Sequence, residues 1–229
     1  MITVSTCSTM NGVSDLTIRR DSYHHGDLRN ALSDAATELA RKGGPEAVVL
    51  REAARRVGVS ATAAYRHFAN HGDLMDAVKQ RALDELAVAL QAALDADEPV
   101  DDPGEQAVRG LYTAARAYIG FALTETGLFH SAFGRAEGDP ETEWTPDSLR
   151  DRRAYDILAR QMDLLVATGR LPADRRACAD ILAWSVVHGL AMLILDGPLS
   201  DVPEPHRHDL IDRTVHLGVT GLLGPATDR

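Results

Sequence analysis

Apolar side chains recur every three or four residues along most of this chain, the spacing that lines one face of an α-helix. Leu28, Leu32, Ala35, Ala36 and Leu39 mark a first helix that stops at Gly43-Gly44-Pro45. Residues 50–57 read as a short second helix. Gly58 supplies the left-handed residue that closes it, and Ser60 the side-chain oxygen that caps a third. From 72 to 94, Leu74, Val78, Leu83, Leu86, Leu90 and Leu94 define a long amphipathic helix expected to link the two halves of the molecule. The acid-rich run 95–103, with Pro99 inside it, breaks the pattern and reads as a loop. Further helices are predicted over 104–124, 127–133, 147–168 (ended by Gly169), 173–196 (ended by Gly197-Pro198) and from Pro203–Pro205 to Leu223. The polar stretch 134–146, which holds Trp144, is expected to be a loop. No period-two alternation and no internal repeat occurs, so the fold is predicted all-α and an α/β scaffold is excluded.

With 229 residues the chain has room for two domains. The predicted division is an N-terminal arm over 1–20, rich in Ser, Thr and small residues and expected to be disordered, a three-helix unit over 21–72, and a helical domain over 73–223. No basic end precedes an apolar core, and no run approaches the roughly 18 apolar residues a bilayer requires, so a cytoplasmic protein is expected. Cys7 and Cys178 make neither a disulfide framework nor a metal set, and Cys178 is expected inside a helix as a small core residue. No cofactor and no metal are expected.

The second and third helices carry the sharpest chemistry. At about 100° per residue, Ala61, Ala64 and Phe68 share one arc of the third helix, while Thr62 and Arg66 point away with Ala63 and Tyr65 beside them. An alanine underside lets a helix sit close to its support and push its outer face into a DNA major groove. Any αα-hairpin with a glycine turn shares this outline.

The segment Gly58-Val-Ser-x-x-x-Ala-Tyr-Arg-His-Phe68, followed by Gly72-Asp-Leu-Met-Asp-Ala-Val78 and preceded by Tyr23-His-His-Gly-Asp-Leu-Arg29, resembles the DNA-binding segment of the TetR family of bacterial transcriptional regulators. The resemblance implies that Ser60, Tyr65 and His67 touch phosphates and that Thr62 and Ala63 face bases. Tyr23, Arg51 and Arg66 are added as candidate DNA contacts. Two positions depart from the family pattern. Val49 stands where Ser or Thr usually caps the second helix, and His71 stands where Lys is usual, exchanging a fixed charge for one that depends on pH. A DNA affinity that varies between pH 6 and 8 is the expectation that follows.

Charge is polarised in the same sense. Residues 16–81 hold eleven Lys and Arg against eight Asp and Glu, a balance of +3 in a chain of net −10. A locally basic patch on an acidic chain suits phosphate contacts without indiscriminate polyanion binding. Arg19 and Arg20, just before the first helix, are candidates for an arm reaching a minor groove, or form a solvated flank.

The predicted helix over 173–196 is apolar on two sides: Ile181, Trp184, His188, Ala191 and Leu195 form one stripe, Ala183, Val187, Leu190 and Ile194 another. Burial by its own domain on one side and by a second copy on the other accounts for both. Ile211, Val215, Val219 and Leu222 of the last helix are expected to complete a four-helix dimer interface. The alternative is a central helix of a monomer; the resemblance favours the dimer, and Trp184-x-x-x-His188-Gly189 looks like the signature of one of the family's C-terminal domain types. A dimer reads a palindrome with two copies of one short helix.

The resemblance further implies a small-molecule effector that respaces the two heads. Tyr118, Phe121, Phe129, Phe133, Trp144, Tyr155, Met162, Trp184 and His188 are the candidate pocket residues, each also explicable as ordinary core. The expected function is a transcriptional regulator, a repressor, bound to palindromic double-stranded DNA as a homodimer. A helical protein-interaction module without DNA binding is the alternative. An enzyme is not expected: His206-x-His208 with Asp209 and Asp212 lacks the remaining ligands of a metal site, and Ser185 with His188 has no acid on its face and no turn exposing a nucleophile.

Overall fold

The computed structural model describes residues 25–133 and 153–224, all helical apart from turns and short connections, with no strand among them. The described residues form nine α-helices: α1 (His25–Gly43), α2 (Leu50–Val57), α3 (Ala61–Tyr65), α4 (His71–Asp95), α5 (Pro103–Thr124), α6 (Thr126–Phe133), α7 (Arg153–Ala167), α8 (Ala179–Leu195) and α9 (Glu204–Leu223). The architecture is all-α in two domains, a head of α1–α3 and a larger helical body.

In the head, α1 packs on α2, and α2 on α3. Ala53, Ala54 and Ala64 are buried where α2 meets α3, so nothing larger than a methyl group separates the helices. Phe68, fully buried, seals the end of α3, with Leu32 and Ala36 of α1 completing the core.

The long α4 starts at His71. Asn70 Oδ1 accepts the Asp73 N–H at 2.9 Å, and Asp73 Oδ2 accepts the Ala69 N–H at 3.0 Å, a reciprocal cap. The division proposed at 72/73 falls inside this helix. Leu74, Val78, Leu83, Leu86 and Leu90 are buried as the periodicity predicts, and α4 packs on α1, α5, α6 and α7. The helix α5 is central to the body and touches α7, α8 and α9 as well.

Head and body also meet through α6. Gly127 lies directly on the carbonyls of Ala40 and Arg41 at the end of α1. Arg41 then reaches Glu38, Glu85 of α4 at 2.7 Å and Glu125 at the α5–α6 junction. Its hydrogen bond to Glu85 raises the guanidinium pKa, against the opposing effect of burial.

Two sequence expectations change. The helix predicted from 173 begins only at Ala179, and 173–175 form a separate 3-10 turn. Cys178 is not a core residue within a helix: it is exposed and left-handed, with φ 63°, immediately before α8. Arg176 holds the break open by bonding Asp163 at 2.7 Å and the Ala159 carbonyl of α7, together with buried Asp180 of α8. The acid-rich stretch is a loop as predicted, yet its acids are engaged. Asp102 caps α5 by accepting the Glu105 N–H at 2.6 Å and pairs with Arg170, and both contacts lower its pKa, the backbone bond most. Asp97 accepts from Thr113 at 2.7 Å and Arg109 at 3.3 Å.

Candidate nucleic-acid interface and ligand cavity

Local code places the reading helix. Gly58 ends α2 with φ 79°, a value that favours glycine, and its N–H turns back to Ala54 and Arg55 while Val59 also bonds Ala54. Ser60 Oγ accepts the Ala63 N–H at 3.2 Å and starts α3. With Ala64 and Phe68 inward, Thr62, Tyr65 and Arg66 are exposed, Tyr65 to 47%, and Ala63 and His67 are half-buried beside them. Arg29 of α1 lies 4.3 Å from the centre of the Phe68 ring and donates to the His67 carbonyl, bracing the end of α3 from below.

Next to this face, Arg51 is exposed on α2. Val49 precedes α2 without a side-chain cap, as its residue type dictates. Glu52 takes both Arg55 and Arg56, at 2.7 and 3.3 Å, and the Arg55 hydrogen bond foremost lowers its pKa to about 2. His71 Nε2 sits 2.8 Å from the Val48 carbonyl, tying the start of α4 to the segment before α2. Arg19, Arg20 and Tyr23 lie outside the described residues.

The body contains a cavity enclosing about 690 Å³ of space not filled by atoms, its mouth included. Leu83, Leu86 and Leu90 of α4 form one wall, Leu111, Ala114, Ala115 and Tyr118 of α5 another. Phe133, Tyr155, Ile157, Leu158, Ala183, Trp184 and Val187 close it. Behind the wall runs a relay. Trp184 Nε1–H donates to the Tyr118 hydroxyl at 2.9 Å, and that hydroxyl shares a hydrogen bond of 2.8 Å with His188 Nδ1. Burial lowers the His188 pKa. Burial likewise pushes the Tyr118 phenol up.

Two family models match this chain: bacterial regulatory proteins of the tetR family over residues 32–78, and the tetracyclin repressor-like C-terminal domain over residues 111–217. Together they account for more than half of its length, one on the head and one on the body. The chain belongs to the TetR family. Three solved structures are similar to it. A protein of unknown function from Rhodococcus sp. RHA1 is 25% identical with TM-score 0.65, over 89% of this chain and 97% of that one. MexZ of Pseudomonas aeruginosa, a repressor responsible for antibiotic resistance, is 22% identical with TM-score 0.55, over 87% and 96%. The TetR-family regulator PfmR of Thermus thermophilus is 23% identical with TM-score 0.51, over 83% and 98%. The last two likenesses concern the fold. No curated protein matches the sequence.

This TetR-family chain is thus a transcriptional regulator with an N-terminal helix-turn-helix DNA-binding domain. No helix among the described residues is long and apolar enough to cross a membrane.

The pocket candidates divide. Tyr118, Phe133, Tyr155 and Trp184 line the cavity. Phe129, fully buried, backs it with its ring 5.7 Å from Tyr118 and 4.9 Å from Phe133. His188 stands behind Tyr118 and is not part of the wall. Phe121 lies instead against a surface groove with Val88 and Thr124, Met162 is buried elsewhere in the core, and Trp144 lies outside the described residues. The aliphatic wall is not legible in the sequence, because leucine at helical spacing looks the same whether it faces a neighbour or a hollow.

The dimer stripe needs correction. Leu190, Ile194, Val215 and Val219 are buried within the single chain, Ile211 and Leu222 pack against the same core, and Ala183 and Val187 face the cavity. On α8 the exposed apolar residues lie one position earlier, at Leu182, 59% exposed, and Leu193, 45% exposed, with half-buried Gly189 between them, while Val186 packs against Gly218 of α9. On α9 the outward residues are Leu217, 70% exposed, and Gly221. One residue of phase is about 100° of rotation. Packing against α5, α7 and α9 absorbs the two other sides of α8.

His206 and His208 are exposed, and among the described residues no three groups are placed to hold a metal. Ser185 donates to the Ile181 carbonyl at 2.7 Å.

Proposed function

We propose that this regulator is a cytoplasmic repressor that binds a palindromic operator as a homodimer and leaves it when a small molecule fills the body cavity. The observation that carries the reading is the division of α3 into a fully buried Ala64 and Phe68 side and an exposed Thr62, Tyr65 and Arg66 side, capped and braced as a rigid unit. Such a face fits a major groove. In this reading Tyr65, His67, Ser60 and Arg51 contact phosphates, and Thr62, Ala63 and Arg66 contact bases. His71 contributes to DNA only with what its bond to Val48 leaves available.

One five-residue helix reads few base pairs, so specificity requires a second copy. The exposed apolar strip of Leu182, Leu193 and Leu217, with Gly189 and Gly221 open to close approach by another helix, suits a twofold contact. The cavity touches α4, the helix that begins at the head, so an occupant that favours one arrangement of α4 shifts the spacing of paired heads. Only a difference in affinity between the two arrangements produces release.

Selection of bound fragments from random DNA tests the proposal. The expected result is a palindrome with half-sites roughly 10 bp apart, or a multiple, recovered by a dimer. In vitro transcription from a promoter overlapping that site is expected to fall when the protein is added. A monomer at micromolar concentration that enriches no sequence at low salt overturns the reading.

A further inference from the structure

Several cations of the head are committed to carboxylates. Arg55 and Arg56 share Glu52, Arg81 of α4 pairs with Asp34 of α1, and Arg41 gathers Glu38, Glu85 and Glu125. Arg29 is held differently. Its guanidinium lies 4.3 Å from the centre of the Phe68 ring and donates to the His67 carbonyl, and both of these partners are uncharged. The residue is exposed, although the ring it covers is fully buried. A guanidinium presents its N–H donors as a planar fork, so one carbonyl occupies only part of it. Stacked on a ring and pinned by that carbonyl, the fork is already ordered, and little side-chain entropy is lost when it takes a further acceptor.

Its place matters as much as its charge. His67 follows α3 by two residues, so Arg29, bonded to the His67 carbonyl, stands at the end of the reading helix and not on its outer face. With the outer face of α3 turned to base edges in a groove about 12 Å wide, what flanks the helix is turned to the phosphate rows that border the groove.

We propose that Arg29 is a direct contact to the DNA backbone: its fork takes a phosphate beside the end of α3 while its bond to the His67 carbonyl ties the reading helix to that phosphate. The inference rests on α3 being the DNA-reading helix, and it adds to that site a contact from the first helix of the head. The contact positions the head and carries no sequence information, because a phosphate is the same at every base pair.

Salt dependence counts such contacts. Each phosphate neutralised steepens the fall of log K with log salt by about 0.9, so Arg29→Gln is expected to be shallower by that amount for each copy bound. For a dimer, the affinity gap between the variant and the unaltered chain then closes about tenfold from ~50 to ~200 mM KCl. Fluorescence anisotropy of the full chain with a labelled mixed-sequence duplex measures it. A brace that only supports α3 would lower affinity by the same factor at every salt concentration. Arg29→Lys keeps the charge and loses the fork, and is expected to bind more weakly with the slope retained. Lys42→Gln removes the same charge from the other end of α1, roughly 20 Å along its axis, and is expected to leave the slope as it is. An Arg29→Gln slope equal to that of the unaltered chain, or one matched by Lys42→Gln, overturns the proposal. Should Arg29→Gln fail to fold, the unaltered chain answers: modification of Arg29 by phenylglyoxal, followed by mass spectrometry, is expected to slow when the duplex is added while that of Arg213, exposed on α9, does not. No slowing at Arg29, or equal slowing at both, overturns the proposal. A chain that binds no duplex sinks the DNA-reading assignment of α3 and this contact with it, whereas a bound duplex with an unchanged slope sinks the contact alone, so the two failures are distinguishable.

Discussion

Replacing Gly127 by alanine is expected to destabilise the protein, although alanine is the better helix former. Gly127 lies in the first turn of α6, against the carbonyls that end α1. A methyl group built on it would overlap the Ala40 oxygen and stand 2.7 Å from the Arg41 oxygen and 3.0 Å from the Arg41 carbonyl carbon. Relaxed contacts between carbon and a carbonyl oxygen lie near 3.3–3.6 Å, so α6 and α1 must part by roughly 1 Å. The obstructing atoms are backbone, and no side chain can swing away. Overpacking of a close-packed site costs about 1–3 kcal/mol, and this case belongs near the top because Leu128 and Phe129, both fully buried, must move with the helix. Alanine returns at most about 1 kcal/mol of helix propensity, leaving a net loss of about 2 kcal/mol. Gly120→Ala supplies the control. It is the same chemical change one turn before the end of α5, where nothing lies within 4 Å of the added methyl, and a gain of up to about 1 kcal/mol is expected. Urea denaturation at one fixed protein concentration measures both, as shifts of midpoint at unchanged slope. A Gly127→Ala midpoint equal to or above that of the unaltered chain refutes the packing argument.

Other outcomes follow from the same structure. Ser60→Ala removes the cap of a five-residue helix, costing about 1 kcal/mol of stability and weakening binding to every duplex, as fluorescence anisotropy would show; a changed base preference with full affinity would count against it. In the same assay, Tyr65→Ala is expected to weaken all sequences alike, and Thr62→Ala or Arg66→Ala to change preference between them; identical behaviour rejects the assignment of backbone and base contacts. Tyr118→Phe leaves the Trp184 N–H and His188 Nδ1 without their shared partner and should cost about 1–3 kcal/mol in urea. Burial holds the His188 imidazole below its ordinary 6.5, so the native chain resists a proton that the unfolded chain accepts. Its contribution to stability is complete above that value and is lost as pH falls below it; His188→Gln should flatten the decline between pH 7 and 5, and a steeper decline would contradict the assignment. Leu193→Asp combined with Leu217→Asp is expected to yield monomers by sedimentation with unchanged helicity, whereas an unaffected dimer would place the contact elsewhere.

Boundaries set by local chemistry were legible in the sequence. Gly58 and Gly169 end their helices in the left-handed region, and Ser60 caps α3, because each device operates within four residues of itself. The start of α8 was not legible. Residues 173–178 contain nothing hostile to a helix, and the break is fixed by Arg176 reaching across to Asp163 and Ala159 of α7. The phase of α8 failed for a related reason. Periodicity reports that apolar stripes exist, but which stripe meets the protein's own core depends on where α5, α7 and α9 lie. Burial by the chain itself claimed Leu190 and Ile194, and the strip left over begins at Leu182. Aromatic residues located half of the cavity, while its leucines and alanines could be recognised only once the hollow between α4, α5, α7 and α8 was visible.

The connection between head and body shows the same limit. Sequence pointed to α4 alone, since a continuous amphipathic helix that starts beside the DNA-binding unit is visible as a pattern. Arg41 carries no such pattern: its partners Glu85 and Glu125 lie 44 and 84 residues away, and only the fold brings three carboxylates to one guanidinium. Gly127 is equally silent until α1 is laid against it. Yet these two contacts give α6 a bearing on the head, while Phe133 at its other end belongs to the cavity wall. Eight residues of helix, roughly 12 Å, separate the two ends. The cavity wall is thus joined to the head through two helices, α4 and α6, and the second bears on the backbone carbonyls that end α1.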